Sequence, residues 1–390
     1  MRHLCPGYTR RFLLGSAAAT AGTMLVPKVW SAENAPTAPV AVARCLTYER
    51  SELLPTMQKM FADIGGLERI VKGKTVAIKI NLTGAPRDRL GYLPAELAHW
   101  THPAVIGTAV HLMGKAGAKR VRLLESAWNT ADPIEEYMME GGWDPATLLN
   151  AAPRVEMENT NWLGNAKKYS VLKPPNGGHM FKAYHLNHSY EDCDVFVSIA
   201  KLKDHATAGI TLSMKNCFGI TPCTIYGDGA PKDGPSDVPH GGRGSVIHAG
   251  KRQPAATAPA ENDPNSPRDG GYRVPRVVAD LVAARPIHLA IIDGIESMAG
   301  GEGPWIRGCV PVKPGILIAG TNCVTTDAVA AAAMGYDPMA DRGKVPFETA
   351  DSTLKLAEMH GVGTRDLRRI EVVGAPIKDV RFNFRTRQRS

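Results

Sequence analysis

The sequence predicts an α/β fold, a mainly parallel sheet flanked by helices, interrupted by a long Gly/Pro-rich insert. Short apolar, β-branched runs alternate with helix-like stretches along the chain, as crossover connections between parallel strands require. Of the 390 residues, 44% are hydrophobic and 22% charged, enough apolar material for a sizeable core and too much for a disordered chain. The 39 glycines and 29 prolines follow no period, which excludes collagen-like and repeat architectures.

Residues 1–35 stand apart from that pattern. Arg10 and Arg11 precede Phe12-Leu13-Leu14, then a small-residue apolar run over 15–26, then polar Ser31-Ala32-Glu33-Asn34. This is the n-region, h-region and cleavage-zone order of a signal peptide, and the paired arginines resemble a twin-arginine signal. The run falls short of the ~20 residues a spanning helix needs, and no later stretch reaches that length. The expected product is a soluble protein without a stable membrane span, delivered by the twin-arginine export machinery to the periplasm or the exterior. Substrates of that route cross the membrane folded.

The folded elements follow in order. Residues 76–80 read as a strand, Pro103–Lys115 as a helix with proline at its first position, and 119–124 as the next strand, closed by Glu125 and Ser126. Further strands fall at 194–199, 287–292 and 315–319. The last leads through Thr325 and Asp327 into an alanine-rich helix ending near Gly335. Residues 36–379 form a single α/β domain, and 380–390 a basic tail. The stretch 226–272 breaks the alternation with Gly, Pro, Asp and Asn; it is a disordered insert, a solvated loop or a lid carrying His240, Arg243, His248 and Lys251.

The net charge of +8 does not indicate nucleic acid. Its excess sits at the termini, in Arg2, Arg10, Arg11 and Lys28 and in Arg381, Arg385, Arg387 and Arg389, and the body between is near neutral. Cysteines 45, 193, 217, 223, 309 and 323 form no Cys-x-x-Cys pair, so neither a zinc ribbon nor an iron–sulfur ligand run is present. They read as core residues, with a disulfide open in an exporting compartment.

Function is written at the strand ends, because parallel α/β sheets bind ligands outside the carboxyl ends of their strands. Lys79 and Asn81 end the first strand and Glu125 the next. Lys201, Lys203 and His205 follow the 194–199 strand, with Thr211, Lys215 and Asn216 just beyond. Asp293 ends the 287–292 strand, and Asp327 follows the 315–319 strand. Lysines suit carboxylate or phosphate; His205 suits a general base or a metal ligand. His102, before Pro103, is either a helix cap or a proton-transfer group. Neither Gly-x-Gly-x-x-Gly, a P-loop, Gly-x-Ser-x-Gly nor His-Glu-x-x-His occurs, so the nucleotide, serine-hydrolase and zincin readings lack their signatures.

Several of these stretches resemble the family known as the domain of unknown function 362. They are 76–82, Thr101-His102-Pro103, 121–126, 201–219, 293–304, Thr326 to Val329 and Gly335 to Pro338. The Lys-x-Lys-x-His run with its following Thr-Leu-x-x-Lys-Asn is the most specific. The family's Met-Glu-Gly-x-Gly-Pro element appears as Met298 to Pro304 with Ala299 in place of the acid and a shifted spacing, so the acid's role is either missing here or falls to Glu302. Exported members with twin-arginine signals belong to the family's range. An iron–sulfur module carried by some members has no matching cysteine run here. The resemblance implies a shared site and supplies no reaction.

Together these residues point to an enzyme, an oxidoreductase or an isomerase, acting on a small anionic substrate or cofactor, a carboxylate or a phosphate. His205, Lys215, His102 and Asp293 are its candidate catalytic groups. Lys79, Asn81, Glu125, Lys201, Lys203, Thr211, Asn216 and Asp327 are its candidate ligand-binding groups. A metal or an organic cofactor is left open by the residues. The alternative is a non-catalytic periplasmic protein that binds a metal, a cofactor or an anion.

Overall fold

The structure is a computed structural model describing residues 34–385. The export segment and the tail arginines Arg387 and Arg389 lie outside the described residues. The main sheet has eight strands: β1 (Val40–Arg44), β2 (Thr75–Lys79), β3 (Arg120–Glu125), β4 (Val155–Asn159), β5 (Val195–Lys201), β6 (Leu289–Gly294), β7 (Ile316–Gly320) and β8 (Val372–Gly374). Their spatial order is β8-β1-β7-β6-β5-β2-β3-β4.

Two helical layers cover the sheet. On one face α1 (Arg50–Asp63) and α2 (Pro103–Lys115) bring Leu53, Met57, Ile106 and Met113 against Ile78, Ile199 and Ile291. On the other, α3 (Gly270–Ala284), α4 (Cys323–Ala333) and α5 (Thr353–Met359) pack Val277, Leu281, Val324 and Leu354 with Phe196, Ala290 and Ile292. Strands covered on both faces are mostly apolar, and every residue of β5 is buried. Alternate residues still serve opposite layers: Val195, Val197 and Ile199 face α1 and α2, whereas Phe196 faces α3 and α4.

The sheet is mainly parallel, with one reversal. β7 runs antiparallel to both of its neighbours, β1 and β6. Its carboxyl end, leading to Asn322 and Asp327, therefore opens at the sheet edge opposite to the ends of β2, β3, β5 and β6. The expectation that Asp327 joins those strand ends is corrected on this ground. Asn322 instead caps α4, accepting from Val324 N and Thr325 N at 3.0 and 3.1 Å.

The 226–272 stretch is partly packed: residues 231–233 are exposed, whereas other parts enter the core. Val246, Ile247 and Ala255 enter the core, a helical turn spans Gly244–His248, and Arg252 donates to Ala230 O at 2.5 Å. Glu261 receives Arg268 and fully buried Arg273, tying the stretch to α3. Its last residues already belong to that helix. Every cysteine among the described residues is free, so no disulfide is formed there. No helix among the described residues is long and apolar enough to cross a membrane.

Candidate functional site

The ends of β2 and β3 and the 201–219 stretch open onto a cavity of about 570 Å³. Its floor is an ion pair. Lys79 Nζ lies 2.7 Å from Glu125 Oε1, with the two side chains only 2% and 4% exposed. Nζ also donates to Ile80 O at 2.6 Å and Asn216 Oδ1 at 3.1 Å. All three ammonium donors are thus occupied, and Lys79 neutralises Glu125 instead of offering a free charge. Gly219 closes over this pair; a Cβ there would stand 3.1 Å from both Lys79 Nζ and Glu125 Oε1.

Asn216 is the hub of the floor. Its Oδ1 accepts from Lys79 and from Asn81 Nδ2 at 3.1 Å, while its Nδ2 donates to Ser198 Oγ at 3.0 Å. It sits on the helical turn Ser213–Asn216. Asp327 holds that turn from below, accepting from Ser213 N at 3.0 Å, Ser213 Oγ at 2.6 Å and Met214 N at 2.9 Å. Asp327 is therefore a buried cap, away from the cavity.

The walls carry Lys215, His205, Thr211, His248, Arg243 and Glu302. Lys215 makes no hydrogen bond; its Nζ lies 4.3 Å from the centre of the Phe218 ring. Burial holds its pKa down at about 8, against the opposing pull of Glu302 and with the help of Arg243 and Lys79. His205 accepts at Nδ1 from Thr207 N and Ala208 N at 3.1 and 3.2 Å. Burial and the neighbouring Lys215 keep the ring neutral well below its usual range. A neutral imidazole that accepts at Nδ1 carries its proton at Nε2, so His205 offers the cavity a donor.

The acids of the cavity are already engaged. Glu302 Oε2 accepts from Ala206 N at 2.9 Å and its Oε1 from Trp305 Nε1 at 3.3 Å. Asp88 accepts from Ala85 N at 2.8 Å, and Asp228 from Ser245 N. The donors are not. Lys215 Nζ, His205 Nε2 and the His248 ring have no hydrogen-bond partner, and Arg243 is held through Nε and Nη2 to Thr221 O and Ser126 O at 2.7 and 2.9 Å. Trp128 and Trp305, 43% and 46% exposed, stand at the mouth.

The other predicted residues gather elsewhere. Lys201 and Asp293, register partners on β5 and β6, form an ion pair at 2.8 Å with both side chains fully buried. Tyr48 donates to Asp293 Oδ1 at 3.1 Å and stacks on His102 at 3.6 Å. His102 itself caps α2, accepting at Nδ1 from Ala104 N at 3.1 Å. This cluster lies outside the lining of the 570 Å³ cavity: His102 and Asp293, expected as catalytic groups, and Lys201, expected to bind ligand, hold one another and Tyr48. Lys203 is buried, and its Nζ donates to His99 O at 2.6 Å, outside the cavity lining. The pleat explains the division: Lys79 points with Ala77 toward the α3 layer, and Lys201 points with Ile199 toward α2.

Sequence reading left Trp128, Trp305, Arg87 and Asp228 out of the site. Trp128 follows β3 within the same strand-end segment as Glu125, and carrying the strand-end rule that far would have found it.

Comparison with known proteins adds the following. The family described as "Domain of unknown function (DUF362)" matches residues 76–332, more than half of the chain. A thylakoid-associated protein of Synechocystis sp. is 26% identical over 184 residues, 47% of this chain and 50% of that protein. The chain thus spans about half the length of the curated relative it matches. A Thermotoga maritima protein of known structure aligns with a TM-score of 0.36 and 14% identity, over 69% of this chain and 54% of its own. The lactate racemase apoprotein of Thermoanaerobacterium thermosaccharolyticum aligns with a TM-score of 0.34 and 12% identity, over 72% of this chain and 55% of its own.

Proposed function

This chain belongs to the DUF362 family, whose description assigns no reaction, and from its own residues we propose that the cavity binds a small anionic substrate or cofactor, a carboxylate or a phosphate, for an enzymatic step. One observation carries this reading: among the carboxylate, lysine and histidine side chains of the cavity, the acids are met and, Lys79 apart, the bases are not. Glu302, Asp88, Asp228 and Glu125 have donors, while Lys215, His205 Nε2 and His248 have no acceptors. An anion is the ligand that meets unoccupied donors in a desolvated wall, where each charge-assisted bond is strongest. Lys215 then serves twice. With its pKa near 8 it holds charge against the bound anion and gives or takes a proton close to neutral pH, as an isomerase or oxidoreductase acting beside a carboxylate requires.

Calorimetric titration of the folded protein with inorganic phosphate and with acetate tests the reading, with circular dichroism as the fold control. Lys215→Ala and His205→Ala are expected to keep the fold and to weaken whichever anion binds by more than about tenfold, the loss of a charged hydrogen bond. Unchanged affinity in both variants overturns the reading.

Export by the twin-arginine route is the companion proposal, supported by Arg10, Arg11 and the apolar run that follows. Arg10→Lys with Arg11→Lys is expected to leave the precursor in the cytoplasm on fractionation; normal delivery of the double variant refutes it.

A further inference from the structure

We propose that Lys215 is a nucleophile that forms an imine with the carbonyl group of a small anionic carbonyl compound, such as an α-keto acid. The inference deepens the anion-site reading and rests on it. Lys215 is a lysine on a cavity wall with neither a carboxylate nor a carbonyl to hold its ammonium, packed 4.3 Å from the Phe218 ring. His248 meets the same Phe218 ring edge-on, centroid to centroid 4.8 Å. A lysine kept for charge alone is ordinarily paired, as Lys79 is with Glu125 and Lys201 with Asp293 in this same fold. Desolvation beside other cations is the setting that turns a lysine into an amine nucleophile.

The protonation state agrees. At about 8 in place of 10.5, Lys215 near neutral pH is on the order of a hundredfold richer in free amine than a surface lysine. Arg243 and the His205 Nε2–H remain to hold the carboxylate once Lys215 is committed to carbon. Asn81 Oδ1 lines the same cavity, 3% exposed and without a hydrogen-bond partner, an acceptor for the hydroxyl of the addition product.

The step balances without a further reactant. Lys215 Nζ, as free amine, attacks the carbonyl carbon; the C–N bond forms as the C=O π pair moves to oxygen. The carbinolamine oxygen takes one proton from nitrogen and a second, the one the ammonium gave to solvent before the attack, and departs as water, leaving a protonated imine. Ammonium plus carbonyl compound gives iminium plus water, with no change of oxidation state.

Pyruvate is the probe, with sodium borohydride to reduce the imine to a stable secondary amine, and peptide mass mapping of the full chain as the readout. The expected result is one reduced adduct, on Lys215, absent in Lys215→Arg, whose circular dichroism spectrum and unfolding transition show that it is folded as the wild type is. Pyruvate binding to the wild type with no adduct, or with adducts scattered over surface lysines equally in both proteins, overturns the imine and leaves the anion site standing. Absence of both pyruvate and acetate binding in the wild type overturns the anion site and the imine with it.

Discussion

Lys201 and Asp293 face each other across adjacent parallel strands, 2.8 Å apart, with neither side chain exposed. The carboxylate also receives His102 N at 3.0 Å and Ile295 N at 3.2 Å, and the ammonium donates to Glu96 O at 2.8 Å. Every valence is met inside the protein, so the pair joins β5, β6 and the start of α2 and has nothing left for a ligand.

Asp293→Asn leaves a buried ammonium without its counter-charge, and the expected cost is about 3–5 kcal/mol of unfolding free energy. Denaturant unfolding measures it. The same variant, studied at a temperature where it is folded, should bind phosphate or acetate as tightly as the wild type. A stable variant with lost anion binding would return Asp293 to the functional site.

Anion binding should fall as pH rises through about 8, where Lys215 loses its proton, well before the 10.5 at which an ordinary lysine does. The linked effect on stability has the opposite sign. Between about 8 and 10.5 the unfolded chain holds a proton at this position that the folded chain has released, so the contribution of Lys215 makes stability rise with pH in that window and fall as pH drops through about 8. The difference in unfolding free energy between the wild type and Lys215→Met, followed across pH, isolates this contribution. A flat difference across the window would contradict it.

Strand identity was legible from the apolar runs at 76–80, 194–199 and 287–292, and parallel pairing from the helical stretches between them. The edge strands β4 and β8 were not, since Val-Glu-Met-Glu-Asn alternates weakly and β8 has only three residues. The direction of β7 is set by how its connections pass, which nothing within Ile316–Gly320 records. The split of the predicted lysines into two clusters has a different cause. Ala77 and Ile78, or Phe196 and Val197, are equally apolar on either face, so the sequence carries no mark of which layer Lys79 or Lys201 looks toward. Lys215 and Asn216 could be read because they are polar groups set among Leu212, Met214 and Phe218.

The Trp305 indole rests on glycine backbone at the mouth of the cavity. A Cβ on Gly303 would overlap the six-membered ring, and one on Gly84 would do the same from the other strand end. Gly303→Ala must therefore move the indole, which breaks the 3.3 Å bond from Trp305 Nε1 to Glu302 and frees one carboxylate oxygen toward the donors that await the anion. The expected loss is about 0.5–1.5 kcal/mol of binding free energy, or roughly two- to tenfold in affinity for phosphate or acetate. Because Trp305 is 46% exposed, its displacement should change global stability little and its fluorescence clearly. Gly234→Ala, where a Cβ meets open space, is the control. If Gly303→Ala shifts the fluorescence and leaves the affinity unchanged, Glu302 does not tune the anion site and the indole has no part in it.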